Sequence, residues 1–165
     1  MQQSSPADRS DGRNAAGGGG RPARLAEFAG RWRLVRRIAD ALAGAEGRME
    51  GWAEFQPGGE GLLCEERGLL RYGGGSPLQA ARRYLWRAEA PGRIAVFFED
   101  GRPFHGFALG ASAEAIHDCA PDRYHVAYDF SGWPRRWRAV WTVTGPRKDY
   151  VSVSDYLREA APGAK

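Results

Sequence analysis

The chain reads as an all-β protein, an antiparallel up-and-down β-barrel of about ten strands preceded by a short N-terminal helix. Three observations predict it. From Leu25 onward, short apolar-periodic segments recur at a spacing of roughly ten residues, each closed by Gly, Pro or Asp turn chemistry. The six Trp, six Tyr and seven Phe suit pleated, half-buried surfaces. No alternation of strand and helix appears, and sequential strands joined by tight turns leave unpaired edges unless the sheet closes on itself.

The segments follow in order. Residues 32–40 form a first strand and 48–56 a second, which stops at Pro57-Gly58-Gly59. Residues 62–72 are the third, ended by the glycine run before Ser76-Pro77. Residues 80–90 and 93–100 flank Pro91-Gly92, and Asp100-Gly101 is a hairpin signal leading into 103–110. Residues 114–119 and 122–130 flank Ala120-Pro121, and 137–144 and 150–156 flank Gly145-Pro146. Helix is confined to a turn at 25–29 and a second short piece at 40–43. Residues 1–24, rich in Ser, Pro and Gly, are expected to be a disordered tail, 25–160 the barrel, and 161–165 a short C-terminal tail.

Composition excludes several function classes. The formal charge is +4, and residues 1–24 carry four Arg and two Asp, which leaves +2 for the rest. Arginines are scattered rather than gathered, so nucleic acid is not expected as a partner. Trp133-Pro134-Arg135-Arg136-Trp137 interleaves rings and cations, but over too few residues to change that reading. No apolar run reaches the roughly 18 residues of a membrane span, so no membrane partner is expected. Two cysteines without a leader pattern point to free thiols in the cytoplasm.

Period-two alternation assigns the inward face. Trp32, Leu34, Arg36 and Ile38 share one side, as do Leu62, Cys64 and Glu66. Arg82, Tyr84 and Trp86 align next, then Ile94, Val96 and Phe98 facing His105, Phe107 and Leu109. His117 and Cys119 follow, then Asp122, Tyr124, Val126, Tyr128 and Phe130. The last strands contribute Trp137, Ala139, Trp141 and Val143, then Tyr150, Ser152, Ser154, Tyr156 and Arg158. Apolar and aromatic residues choose the side, yet charges and hydroxyls recur on it. Buried charges demand partners, so these groups must satisfy one another, trapped water or a ligand.

A resemblance enters at Gly30-Arg31-Trp32, which has the Gly-x-Trp form that opens the first strand of lipocalins and their calycin relatives. In those families a basic residue near the last strand packs over the Trp and closes the barrel, a role the resemblance implies for Arg158. The segments Arg82-Arg83-Tyr84-Leu85-Trp86, Asp100-Gly101-Arg102-Pro103-Phe104-His105, His117-Asp118-Cys119, Asp122-Arg123-Tyr124 and Gly145-Pro146-Arg147-Lys148-Asp149-Tyr150 together resemble an uncharacterised bacterial domain-of-unknown-function family with a lipocalin-like barrel. That resemblance implies a fold and a pocket but no reaction. A count of ten strands is also that of fatty-acid-binding and nitrobindin-like barrels.

The leading functional expectation is a small-molecule binding protein enclosing a polar or anionic ligand. Arg36, Arg82 and Arg158 would supply charge and Tyr84, Tyr124 and Tyr156 hydrogen bonds, with Glu66, His105, His117 and Tyr128 completing the wall. The alternative is an enzyme acting on a small anionic substrate, with His105 or His117 as acid-base residue oriented by Asp122 or a tyrosine. A Cys119 nucleophile activated by His117 is loose, since residues two apart on a strand lie roughly 7 Å apart. A second alternative is a haem held by one histidine, as in nitrobindin-like barrels. His105, His117 and Cys119 have ligand chemistry but no metal-motif spacing, so neither metal nor resident cofactor is expected. The 145–150 hairpin, with adjacent Arg147 and Lys148, reads equally as an anion-docking rim or a solvated tip.

Overall fold

The structure, a computed structural model, describes residues 20–160. Ten strands follow a single 3-10 turn at Leu25–Phe28: β1 (Gly30–Asp40), β2 (Ala45–Gly58), β3 (Gly61–Tyr72), β4 (Leu78–Ala90), β5 (Arg93–Phe98), β6 (Pro103–Ala108), β7 (Ser112–Cys119), β8 (Asp122–Asp129), β9 (Arg136–Gly145) and β10 (Lys148–Arg158). They form one antiparallel sheet in the order β6-β5-β4-β3-β2-β1-β10-β9-β8-β7. The first and last strands pair from Trp32↔Arg158 to Asp40↔Tyr150, so the two ends of the sequence close the wall by main-chain hydrogen bonds. The barrel is therefore nearly closed, and its one unladdered seam among the described residues lies between β6 and β7. Rings bridge that seam: Phe107 and Tyr128 have centroids 4.5 Å apart, and Phe104 and His117 5.2 Å. Among the described residues no helix is long and apolar enough to cross a membrane.

Strand boundaries differ from the sequence reading where turn chemistry was underread. Residues 41–44 form a tight turn and not a helix, because the Asp40 side chain accepts the Ala43 N–H and Gly44 takes a positive φ; β2 consequently starts at Ala45. Residues 20–24, assigned to a tail by composition, lie against the barrel: Gly20 bridges to Trp133 and Pro22 is fully buried. The expected tails at 1–19 and 161–165 lie outside the described residues.

One end of the barrel is a solid floor. Phe28, Trp32, Phe55, Phe130, Trp133 and Trp137 are buried there, with Phe28 and Trp133 rings 4.7 Å apart. Trp32 donates its indole N–H to the Phe28 carbonyl at 2.9 Å, tying the 3-10 turn across the opening. The Arg158 guanidinium sits 4.0 Å over the Trp32 ring and donates to the carbonyls of Glu27, Ala29 and Pro134. One side chain thus satisfies orphan carbonyls of three segments while covering an indole face. Gly30 has φ 114°, a conformation that strains any side chain, and a Cβ there would stand 3.7 Å from the Arg158 guanidinium. The Gly-x-Trp motif accordingly has a physical cause.

Replacing Arg158 by Ala removes the ring contact and three hydrogen bonds, and is expected to cost about 2 kcal/mol in urea unfolding. Arg158→Lys should recover only part of it, since an ammonium cannot reach all three carbonyls in one plane.

Candidate functional site

Above the floor, the inward face turns polar. Arg36 and Glu66 are 3% and 5% exposed, and Arg36 Nη2 donates to Glu66 Oε2 at 2.7 Å. Arg36 Nε donates to Ser154 Oγ at 2.7 Å, and the Tyr156 hydroxyl donates to Glu66 Oε1 at 2.5 Å. Ser154 is the register partner of Arg36 on β10, whereas Glu66 lies two strands away on β3, past Met49. Burial pushes the Glu66 carboxyl up, but Arg36, Arg82 and the Tyr156 hydroxyl outweigh it and hold it below the ordinary carboxylate range. The pair is an ionised, fully answered plug across the barrel.

Beside the plug is a chamber of about 40 Å³ bordered by Cys64, Glu66, His105, Tyr128 and Trp137. His105 Nε2 lies 2.8 Å from the Tyr128 hydroxyl. Burial, helped by the nearby His117, lowers the His105 pKa to about 4, so the imidazole is neutral at neutral pH. A β-bulge sets this geometry. Val96 pairs with His105 but Phe97 pairs with Pro103, which leaves Phe104 as an extra residue, and both Phe104 and His105 border the interior. Alternation alone selects His105 and Phe107 and misses Phe104; the signal that marks it is Pro103, a residue that sits in sheets at edges and bulges.

Over the plug the barrel opens into a cavity of about 510 Å³, ringed by the ends of the hairpins that follow β1, β3, β5, β7 and β9. Its apolar wall is aromatic: Phe98 stacks on Phe104 at 4.4 Å, and Phe104 on Trp141 at 5.1 Å. Arg36, Arg82, Tyr84, His117 and Tyr124 supply polar groups. Arg82 borders this cavity and the chamber below, and makes no ion pair within the described residues. It is exposed because β4 pairs with β5 only from Tyr84↔Phe98 onward, leaving residues 78–83 without a partner on that side and a notch in the wall.

The remaining sequence candidates fall elsewhere. Arg158 belongs to the floor and borders neither cavity, because its guanidinium is held by three carbonyls. Asp122 pairs with Lys148 at 2.9 Å, and Lys148 also donates to the Tyr124 hydroxyl at 2.6 Å, so the Asp122 carboxylate serves the rim and no hydrogen bond joins it to a histidine. Lys148 of the 145–150 hairpin is thereby engaged. His117 and the exposed Cys119 border the outer cavity while His105 faces the chamber; no group of three or more His, Cys, Asp or Glu among the described residues is placed to hold a metal ion. Trp133 and Trp137 are core residues, which removes them from any stacking surface.

The chain belongs to the DUF6314 family, a family of unknown function, whose pattern matches residues 28–158. No curated protein matches it. Among solved structures, the barrel is similar to the S-type phycobiliprotein lyase CPES from Guillardia theta, with 8% identity and a TM-score of 0.58 over 83% of this chain and 91% of that one. A de novo designed fluorescence-activating β-barrel superposes more loosely, with 16% identity and a TM-score of 0.38 over 84% and 99% of the two chains. The lyase likeness shows a common fold.

Breaking the plug from one side should be severe. Glu66→Gln or Arg36→Met is expected to cost about 3–5 kcal/mol in chemical denaturation, and the Arg36→Met, Glu66→Leu double variant much less than the sum. Acid sensitivity has a second source. An unfolded chain protonates His105 near the ordinary 6.5, the folded one only near 4, so acidification between these values favours unfolding. A loss on the order of 3 kcal/mol is expected across that window, and His105→Asn should flatten it in pH-dependent unfolding curves.

Proposed function

We propose that this barrel encloses a small ligand with a flat apolar body and an anionic group. The body lies against Phe98, Phe104 and Trp141, and the anion meets Arg82. The observation that carries the reading is an unpaired guanidinium bordering an open, aromatic-walled cavity of about 510 Å³, a size within the range of small-molecule sites. Arg36, by contrast, is answered by Glu66 and has little charge left to offer. The wall is more aromatic than a purely polar ligand requires, which shifts the ligand class toward amphipathic anions.

The fold is shared with a phycobiliprotein lyase, so the architecture serves chemistry as well as binding, and this chain's own residues favour binding. His105 is a weak base at neutral pH and is already engaged with Tyr128. Asp122 orients Lys148 instead of a histidine. A haem on His105 does not fit, since the 40 Å³ beside it holds a few water molecules at most.

Anilinonaphthalene sulfonate, an aromatic anion, is expected to bind saturably with enhanced fluorescence. Arg82→Ala should weaken it about tenfold, the scale of a charge-assisted contact. Native mass spectrometry of fresh protein, followed by denaturation, should release a compound of the stated class. Absence of saturable binding together with no retained compound overturns the proposal. His105→Gln and His117→Gln test the enzyme alternative, which predicts lost turnover with binding retained.

A further inference from the structure

We propose that the chamber beneath the main cavity is a recognition subsite for an uncharged hydrogen-bond acceptor, a carbonyl oxygen, carried at the inner end of the ligand. This rests on the binding reading above and narrows its ligand class. Two buried side-chain nitrogens, Trp137 Nε1 and His105 Nδ1, have no hydrogen-bond partner among the described residues, and both residues border this one chamber. Unpartnered buried polar atoms are rare in folded proteins and ask for an explanation.

Both nitrogens are donors. An indole nitrogen only donates. For His105, the buried Tyr128 hydroxyl has a single partner within the described residues, the imidazole Nε2 at 2.8 Å. The hydroxyl proton therefore goes to Nε2, and the neutral ring carries its own proton on Nδ1. The chamber's acceptors are already engaged: Glu66 Oε1 takes the Tyr156 proton and Oε2 the Arg36 proton. Its other thiol-bearing wall residue, Cys64, is held protonated by burial and the Glu66 charge. What is missing is an acceptor.

The acceptor is uncharged because the Glu66 carboxylate shares the wall, and a second carboxylate beside it would bury like charges together. Trp137 cannot turn away to find another partner, since its ring is stacked on Tyr156 at 3.7 Å and 2°. The chamber is the deep end of the outer cavity: Arg36, Arg82, Tyr84, Phe104 and Trp141 border both. A ligand lying along Phe104 with its anion at Arg82 thus has a carbonyl-sized space ahead of it.

The test compares an acetyl-substituted naphthoate with its isopropenyl isostere, which keeps the shape and loses the oxygen, by titration calorimetry. The acetyl probe is expected to bind the wild-type protein about tenfold more tightly, the scale of a satisfied buried donor. Trp137→Phe, which keeps the stacking ring, should abolish or halve the logarithm of that preference. His105→Leu combined with Tyr128→Phe, which removes both partners of the internal hydrogen bond, should do the same and decides the matter if the first variant does not fold. Equal binding of the two probes to wild type, or a preference untouched in both variants, marks the chamber as water-filled and overturns the subsite alone. Failure of both probes to bind wild type overturns the enclosing-cavity reading with it.

Discussion

The Arg36–Glu66 ion pair is the constraint around which the barrel is organised. Two ions held almost wholly out of water tolerate little displacement, because any loosening exposes one charge to a medium that cannot solvate it. Ser154 and Tyr156 on β10 complete the set, so strands β1, β3 and β10 are tied to one another through the interior as well as along the wall. The pair sits where the packed floor gives way to open space. Below it, rings fill the cross-section; above it, nothing in the chain does.

That division explains how one small domain combines a rigid core with a hollow. Ten strands enclose more area than single layers of side chains readily fill, and the surplus appears at the end away from the aromatic floor. The plug neutralises its own charges and leaves Arg82, on the neighbouring strand of Glu66, as the guanidinium without an ion pair. Polarity in the hollow is therefore sparse and placed, against a background of Phe and Trp surface.

Much of this was legible in the sequence, for reasons that are particular. Alternation placed Trp32, Leu34 and Arg36, and Leu62, Cys64 and Glu66, on the inner face, because strands buried on one side keep a strict period of two. The Gly-x-Trp resemblance anticipated Arg158 over Trp32. The same arginine also entered the expected ligand set, since a charge on an inward position does not reveal which end of a barrel it faces. Which polar groups answer one another was equally hidden: Glu66 has Arg82 as its ladder partner yet bonds Arg36 two strands off, a contact made across curvature. Phe104 escaped because a bulge breaks the period that every other inference used.

The seam between β6 and β7 gives the wall a directional weakness. Every other strand boundary is sewn by main-chain hydrogen bonds, whose geometry admits little give, whereas this one is held chiefly by ring faces and edges that slide at small energetic cost. The cylinder thus behaves less like a rigid cup than like a split collar. It can dilate along one line to admit a guest wider than its resting bore, and every ladder is still intact when it springs shut.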